Sequence, residues 1–163
     1  MRNVKKKFFK YMRIALFNPD IPQNTGNIFR LAACLSIAVD IIEPAGFVFD
    51  NNKLKRAMMD YINQLEYKRH LDWNSFYSWV KKNNFRLVLL TTKSLKIYTK
   101  YKFKQNDILL FGQESSGVPK KIHELANERL TIPMAKGLRS LNVSSSVAIV
   151  SGEACRQLNL YNF

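Results

Sequence analysis

The sequence predicts an α/β protein: a mostly parallel β-sheet with helices on both faces. Two observations predict it. Short apolar runs rich in Val, Ile and Leu alternate with segments of helical period, the pattern of a parallel sheet covered on both sides. Polar loops follow Phe17, Phe111 and Ile132, each at the end of such a run, and parallel sheets bind ligands beyond the carboxyl ends of their strands.

Element by element, Arg13 to Phe17 (RIALF) is a β-rich run that stops at the turn cluster Asn18-Pro19-Asp20. Asn24-Thr25-Gly26 opens a helix whose apolar residues Ile28, Leu31, Ala32 and Leu35 keep helical spacing. Val39 to Ile42 is the next strand, closed by Pro44-Ala45-Gly46. Lys53 to Ile62 reads as a basic amphipathic helix, Glu66 to His70 as a short strand and Trp73 to Lys82 as a helix. Leu87 to Leu90 and Ile108 to Phe111 are buried-type strands on either side of the basic, aromatic segment Lys93 to Lys104. Pro119 to Ala126 is helical, and Leu130 to Ile132 is a short strand. Val143, Val147, Val150, Ala154 and Leu158 fall on one face of a long closing helix.

The chain has 163 residues and 47% apolar content, enough for one domain with its own core. Residues 1–12 read as a basic extension, either disordered or preceding a true start at Met12, and residues 13–163 as a single domain. Cys34 and Cys155 stand alone in apolar stretches, so neither a disulfide framework nor a zinc ligand set is expected; free thiols fit a reducing cytoplasm. No apolar run approaches the roughly 20 residues of a membrane span. Twenty-six basic against 12 acidic residues leave a net charge of +14, which favours a polyanionic partner such as nucleic acid.

The glycines exclude the common nucleotide loops. No two of the 6 glycines are two positions apart, so the dinucleotide fingerprint is absent. Gly112-Gln-Glu-Ser-Ser-Gly117 has P-loop spacing, but Val118 and Pro119 stand where that loop needs Lys and Ser or Thr, and Glu114 would repel a phosphate.

Three segments are unusually polar for strand ends: Asn24-Thr-Gly-Asn-Ile-Phe-Arg30, Leu110-Phe-Gly-Gln-Glu-Ser-Ser-Gly-Val-Pro119, and Ile132-Pro-Met with Leu138-Arg-Ser-Leu-Asn-Val-Ser144. With Ile42-Glu-Pro-x-Gly-Phe47 and Leu90-Thr-Thr92, their order resembles the SPOUT superfamily of RNA methyltransferases. Within it, the small tRNA wobble-position (cytidine/uridine-34) 2′-O-methyltransferases are most similar. The resemblance runs from about Met12 to the C-terminus. It implies a C-terminal trefoil knot, a homodimer, S-adenosylmethionine as methyl donor with no metal, and tRNA as substrate. The closing helix is then either interface or core.

The resemblance assigns the candidate residues. Leu90, Thr91, Gly112, Ile132, Ser140 and Leu141 would hold the cofactor. Gly112 would let the main chain approach it closely. Arg30, Glu114 and Asn142 would form the catalytic set, and Asn24, Arg30 and Arg139 would contact substrate. A guanidinium matches phosphate bidentately and stays protonated, so Arg30 reads as aligning phosphate and lowering the cost of the developing alkoxide. Placed one turn into its helix, it would also lie near the anion-favouring N-terminal N–H groups. Asn24 is a helix N-cap or a substrate contact, or both. Glu114 would orient Arg30 or accept a hydrogen bond from the ribose; Asn142 organises the same centre or caps the last helix.

The chain departs from the family pattern in places. Gln113 replaces a common proline, Ser116 an arginine, and Gly152 a tyrosine. These departures motivate an alternative: a knotted RNA-binding protein with little or no turnover. The same chemistry on another tRNA position or on rRNA is a further alternative. In Lys93 to Lys104, five lysines flank Tyr98, Tyr101 and Phe103. They form either a phosphate track with base-stacking rings or a solvated segment whose rings enter the core.

Overall fold

The computed structural model describes residues 12–49, 61 and 64–160. Strand β1 (Arg13–Phe17) lies inside a six-stranded sheet with β2 (Ala38–Ile42), β3 (Tyr67–His70), β4 (Arg86–Leu90), β5 (Asp107–Phe111) and β6 (Glu128–Leu130). The order is β3-β2-β1-β5-β4-β6, and every pairing is parallel. Among the described residues the α-helices are α1 (Pro22–Leu35), α2 (Trp73–Lys82), α3 (Lys120–Leu125) and α4 (Val143–Gln157).

Alternation along the strands divides the core into two faces. Ile14, Leu16, Val39, Ile41, Leu109 and Phe111 pack beneath Ile28, Phe29 and Ala32 of α1 and Val147, Val150 and Ala154 of α4. On the opposite face Ala15, Leu87, Leu89, Ile108 and Leu110 meet Phe76 and Val80 of α2 and Ile122 of α3. Each such large side chain, fully buried, contributes about 1.5–3 kcal/mol. Helices on both faces of a parallel sheet are the architecture the sequence predicts. The Val147, Val150 and Ala154 face of α4 belongs to the core of this chain.

Several boundaries differ, each for a local reason. Helix α1 starts at Pro22, whose fixed φ suits the first helical position, so Ile21 is the N-cap and contributes no side-chain bond. Asn24 therefore does not cap α1. Arg30 stands more than two turns into the helix, at about 3.6 residues per turn, and not one turn in as the sequence suggests. Strand β6 begins at Glu128, earlier than expected. Beyond it Thr131 pairs with the preceding segment, donating to Lys96 O at 2.8 Å and accepting from Tyr98 N–H at 3.0 Å. Met12, assigned to the extension, is 1% exposed and belongs to the core. The expected helix from Lys53 to Ile62 lies, Tyr61 apart, outside the described residues.

The aromatic segment resolves toward the core. Tyr101 and Phe103 are buried and meet edge to face at 5.0 Å. The Tyr101 hydroxyl donates to Asp107 at 3.0 Å. These rings are therefore not a platform for stacked bases.

The β1–β2 pair also carries a buried polar cluster. Asp40, with no exposure, accepts from Arg13 Nε at 2.6 Å and pairs with His70 Nε2 at 2.8 Å. Arg13 reaches Glu66 at 3.1 Å. At the sheet edge, Lys68 and Arg69 of β3 are exposed, charges that discourage edge-to-edge pairing.

Candidate active site

The chain leaves β1 toward β2 on one side while β5 pairs with β1 on the other, and ligands bind in α/β sheets at such a reversal. There the loops after β1, β4, β5 and β6 surround a cavity of about 470 Å³, within the range of small-molecule sites. Among the predicted cofactor residues, Leu90, Thr91, Gly112, Ile132, Ser140 and Leu141 all line it, and so do Asn24, Glu114 and Asn142. Arg30 and Arg139 are exposed and lie outside the lining. The Arg30 guanidinium sits 5.5 Å from the centroid of the Tyr61 ring.

The loop after β5 folds back on itself. Gln113 N–H donates to Gly117 O at 3.0 Å, and Gly117 N–H returns a bond to Gln113 O at 2.7 Å. A Cβ on Gly112 would lie 2.7 Å from the Gly117 carbonyl carbon and 2.8 Å from its Cα. The close approach of the Gly117 backbone therefore already demands glycine at 112. Gly117 has φ +70°, a conformation that costs glycine little. The two loop positions that depart from the family pattern bond to each other: Ser116 Oγ donates to Gln113 Oε1 at 2.7 Å.

A directed chain of hydrogen bonds runs along one wall. Asn142 Oδ1 accepts from Ser144 N–H at 2.8 Å and Ser145 N–H at 3.4 Å, capping α4. Asn142 Nδ2 donates to Asn24 Oδ1 at 2.9 Å, and Asn24 Nδ2 donates to Glu114 Oε1 at 3.2 Å. Glu114 Oε2 accepts from Asp20 N–H at 3.0 Å, and Asp20 Oδ1 accepts from Glu114 N–H at 3.2 Å. Asn142 thus caps α4 and also bonds Asn24 in the cavity wall. The partners of Glu114 in this chain are Asp20 and Asn24, not Arg30.

Electrostatics follow from that packing. The hydrogen bond to the Glu114 side chain holds the Asp20 carboxyl down to about 2. Burial, and then the facing Asp20, raise Glu114 above the usual carboxylate range. His123, from α3, also lines the cavity; burial and the nearby Lys93 and Arg129 lower its proton affinity.

Asp20 and His123 escape sequence reasoning. Asp20 is the first acidic residue of the chain, a signal that was available, but only folding brings it to Glu114. The apolar walls of Leu90, Ile132 and Leu141 suit an adenosine group. The polar side of the cavity, from Thr91, Ser140 and the Glu114–Asn24–Asn142 chain, suits a polar or charged tail. The residues present therefore fit S-adenosylmethionine.

Residues 11–152 match the SpoU rRNA Methylase family. The tRNA (cytidine(34)-2'-O)-methyltransferase of Beijerinckia indica is 47% identical over 145 residues, 89% of this chain and 91% of that protein. The enzyme of the same description from Escherichia coli K12 is 40% identical, covering 90% and 94%. A solved structure described as giving insights into the 2-OH methylation of C/U34 on tRNA superposes with a TM-score of 0.85 at 34% identity, covering 91% of this chain and 97% of that one. A SpoU methyltransferase, AviRb of Streptomyces viridochromogenes, solved with AdoMet, shares the fold with a TM-score of 0.83 at 24% identity, covering 91% of this chain and 61% of that one. By the family match over most of its length, this chain belongs to the SpoU rRNA Methylase family.

Proposed function

We propose that this protein transfers a methyl group from S-adenosylmethionine to the 2′-hydroxyl of the tRNA wobble nucleotide 34, cytidine or a modified uridine. The observation that carries the reading is the convergence of Gly112, Ile132, Ser140 and Leu141 on one cavity with the Glu114–Asn24–Asn142 chain along its wall. Relatives at 40% and 47% identity that carry this activity support the choice of tRNA and of position 34.

When bound, the cofactor supplies a methyl group on a sulfonium, with a neutral thioether as leaving group. What remains for the protein is positioning, which supplies much of the acceleration in such transfers. Leu90, Ile132 and Leu141 hold the apolar end of the cofactor. Glu114 accepts a hydrogen bond from the ribose hydroxyl and takes its proton as the oxygen–methyl bond forms and the sulfur–methyl bond breaks, and the asparagine chain keeps that carboxyl group oriented. Arg30 and Arg139, exposed outside the cavity, take phosphates of the incoming RNA; a net charge of +14 favours that encounter. The protein acts as a homodimer in the cytoplasm, with its C-terminal segment knotted as in the superfamily. No described helix is long and apolar enough to cross a membrane.

The test is calorimetric titration of S-adenosylmethionine, followed by methyl transfer to tRNA and mapping of the modified ribose. Cofactor binding with methylation at nucleotide 34 is expected. Binding without transfer to any tRNA would overturn the enzymatic reading, and transfer to another ribose or to rRNA would overturn the assignment of position 34.

A further inference from the structure

We propose that Asp20 is a positioning residue of this site: it clasps the loop that carries Glu114 and, through its charge, strengthens the Glu114 carboxylate as the acceptor facing the ribose hydroxyl. The inference rests on the methyl-transfer reading above and goes beyond it, since Asp20 does not line the cavity.

The clasp is reciprocal. Each of the two acids accepts a main-chain N–H from the other, Asp20 N–H to Glu114 Oε2 at 3.0 Å and Glu114 N–H to Asp20 Oδ1 at 3.2 Å. The loop after β1 is thereby tied to the loop after β5. A third loop backs it: Gly46 N–H donates to Pro19 O at 2.9 Å, and a Cβ on Gly46 would stand 2.8 Å from the Asp20 Cβ. Only a glycine lets that loop press so closely behind Asp20.

The direction of the chain of bonds leaves Glu114 little freedom. Ser144 and Ser145 N–H groups can only donate, so Asn142 must turn Oδ1 toward them and Nδ2 toward Asn24. Asn24 must then accept from Asn142 and donate to Glu114 Oε1. With Asp20 N–H on Oε2, both Glu114 oxygens are acceptors. Rotating that carboxyl group would break bonds on both sides.

Charge adds to geometry. Among the described residues the charged partner of Glu114 is Asp20, from the β1 loop; Asn24 of α1 and Asn142 at the start of α4 are neutral, while His123 and Lys93 line the same cavity. Two facing carboxylates hold a proton more tightly than one, so Asp20 raises the basicity of Glu114. Glu114 must be ionised to accept, so activity falls as pH drops through its pKa. Removing the Asp20 charge lowers that pKa and moves the acid limb to lower pH.

The experiment compares Asp20→Asn and Asp20→Ala with the wild-type protein. It uses steady-state methylation of tRNA across pH and carbon NMR titration of the Glu114 carboxyl group. Asn keeps an acceptor for Glu114 N–H but not the charge; Ala removes both. Asp20→Asn should keep cofactor affinity within about twofold, lower kcat about tenfold with little change in KM for tRNA, and shift the acid limb downward, the size of effect expected when a proton-accepting group is detuned. Asp20→Ala should lose more. A wild-type kcat and an unmoved limb in Asp20→Asn would overturn the proposal, as would an Asp20→Ala variant no worse than Asp20→Asn. Should Asp20→Ala fail to fold, Asp20→Asn decides alone. The NMR titration reads the Asp20–Glu114 coupling without turnover: a Glu114 pKa unchanged by Asp20→Asn overturns the inference whichever RNA is methylated. A lowered Glu114 pKa with no tRNA methylation by the wild type would leave the coupling standing and count against the function proposed above.

Discussion

Asn142 donates to Asn24 at 2.9 Å across 118 positions of sequence. The first residue of one sequence motif thus holds a late residue of another, and Asn24 in turn donates to Glu114 in the loop after β5. Three separate polar segments of the chain become one hydrogen-bonded wall.

That double duty of Asn142 can be separated. Asn142→Ala removes both the α4 cap and the bond to Asn24. It should cost about 1 kcal/mol of stability, the usual value of a cap, with loss of methylation. Asn142→Asp retains the capping oxygen but cannot donate to Asn24. It should melt close to the wild type and still lose most activity. Thermal melts beside transfer assays check this; full activity in Asn142→Asp would show that the cap alone matters.

Gly112→Ala places a methyl group against the Gly117 backbone, 2.7 Å from its carbonyl carbon. Backbone cannot give way as a flexible side chain can. The loop must open, and S-adenosylmethionine affinity should fall by tenfold or more, on the order of 1.4 kcal/mol. Calorimetry on protein shown by circular dichroism to be folded checks it; unchanged affinity would place the cofactor elsewhere.

Arg30 lies outside the cavity lining and is exposed. Arg30→Ala should therefore leave cofactor affinity and melting temperature unchanged while lowering tRNA methylation by on the order of 100-fold, the scale of a misplaced substrate. Normal turnover by this variant would remove Arg30 from the reaction.

Asp40 is fully buried between Arg13 and His70. Asp40→Asn leaves the Arg13 guanidinium, 8% exposed, without its carboxylate partner there. Removing one partner of a buried pair costs about 3–5 kcal/mol, so denaturant melts should show a loss of that size. A loss under about 1 kcal/mol would mean that Glu66 and water compensate, the usual worth of an exposed pair.

Cys34 is exposed and Cys155 buried, and burial pushes the Cys155 thiol up to about 11. At pH 8 a thiol reagent should label Cys34 and spare Cys155 until denaturant is added, because the thiolate is the reactive species. Mass spectrometry of the labelled protein checks it; rapid native labelling of Cys155 would mean that α4 opens readily.

Much of this protein is determined by local sequence. The Val-, Ile- and Leu-rich runs specify the strands because buried parallel strands need apolar residues on both faces. The spacing of Ile28 and Ala32, or of Val147, Val150 and Ala154, specifies which side of a helix is buried. The polar strand-end segments locate the cavity and most of its lining, because a parallel sheet exposes its strand ends at one edge. Tertiary structure decided the rest. Tyr101 and Phe103 lie in a basic segment that fits RNA or core equally well by composition; Asp107 and the α4 packing place them in the core. Gly112 is explained by Gly117, Asn24 by Asn142, and Glu114 by Asp20, pairings that depend on how loops from different strands approach one another. Periodicity records which way a side chain faces along its own element. It holds no record of a partner 94 or 118 positions away, and that is where this site is built.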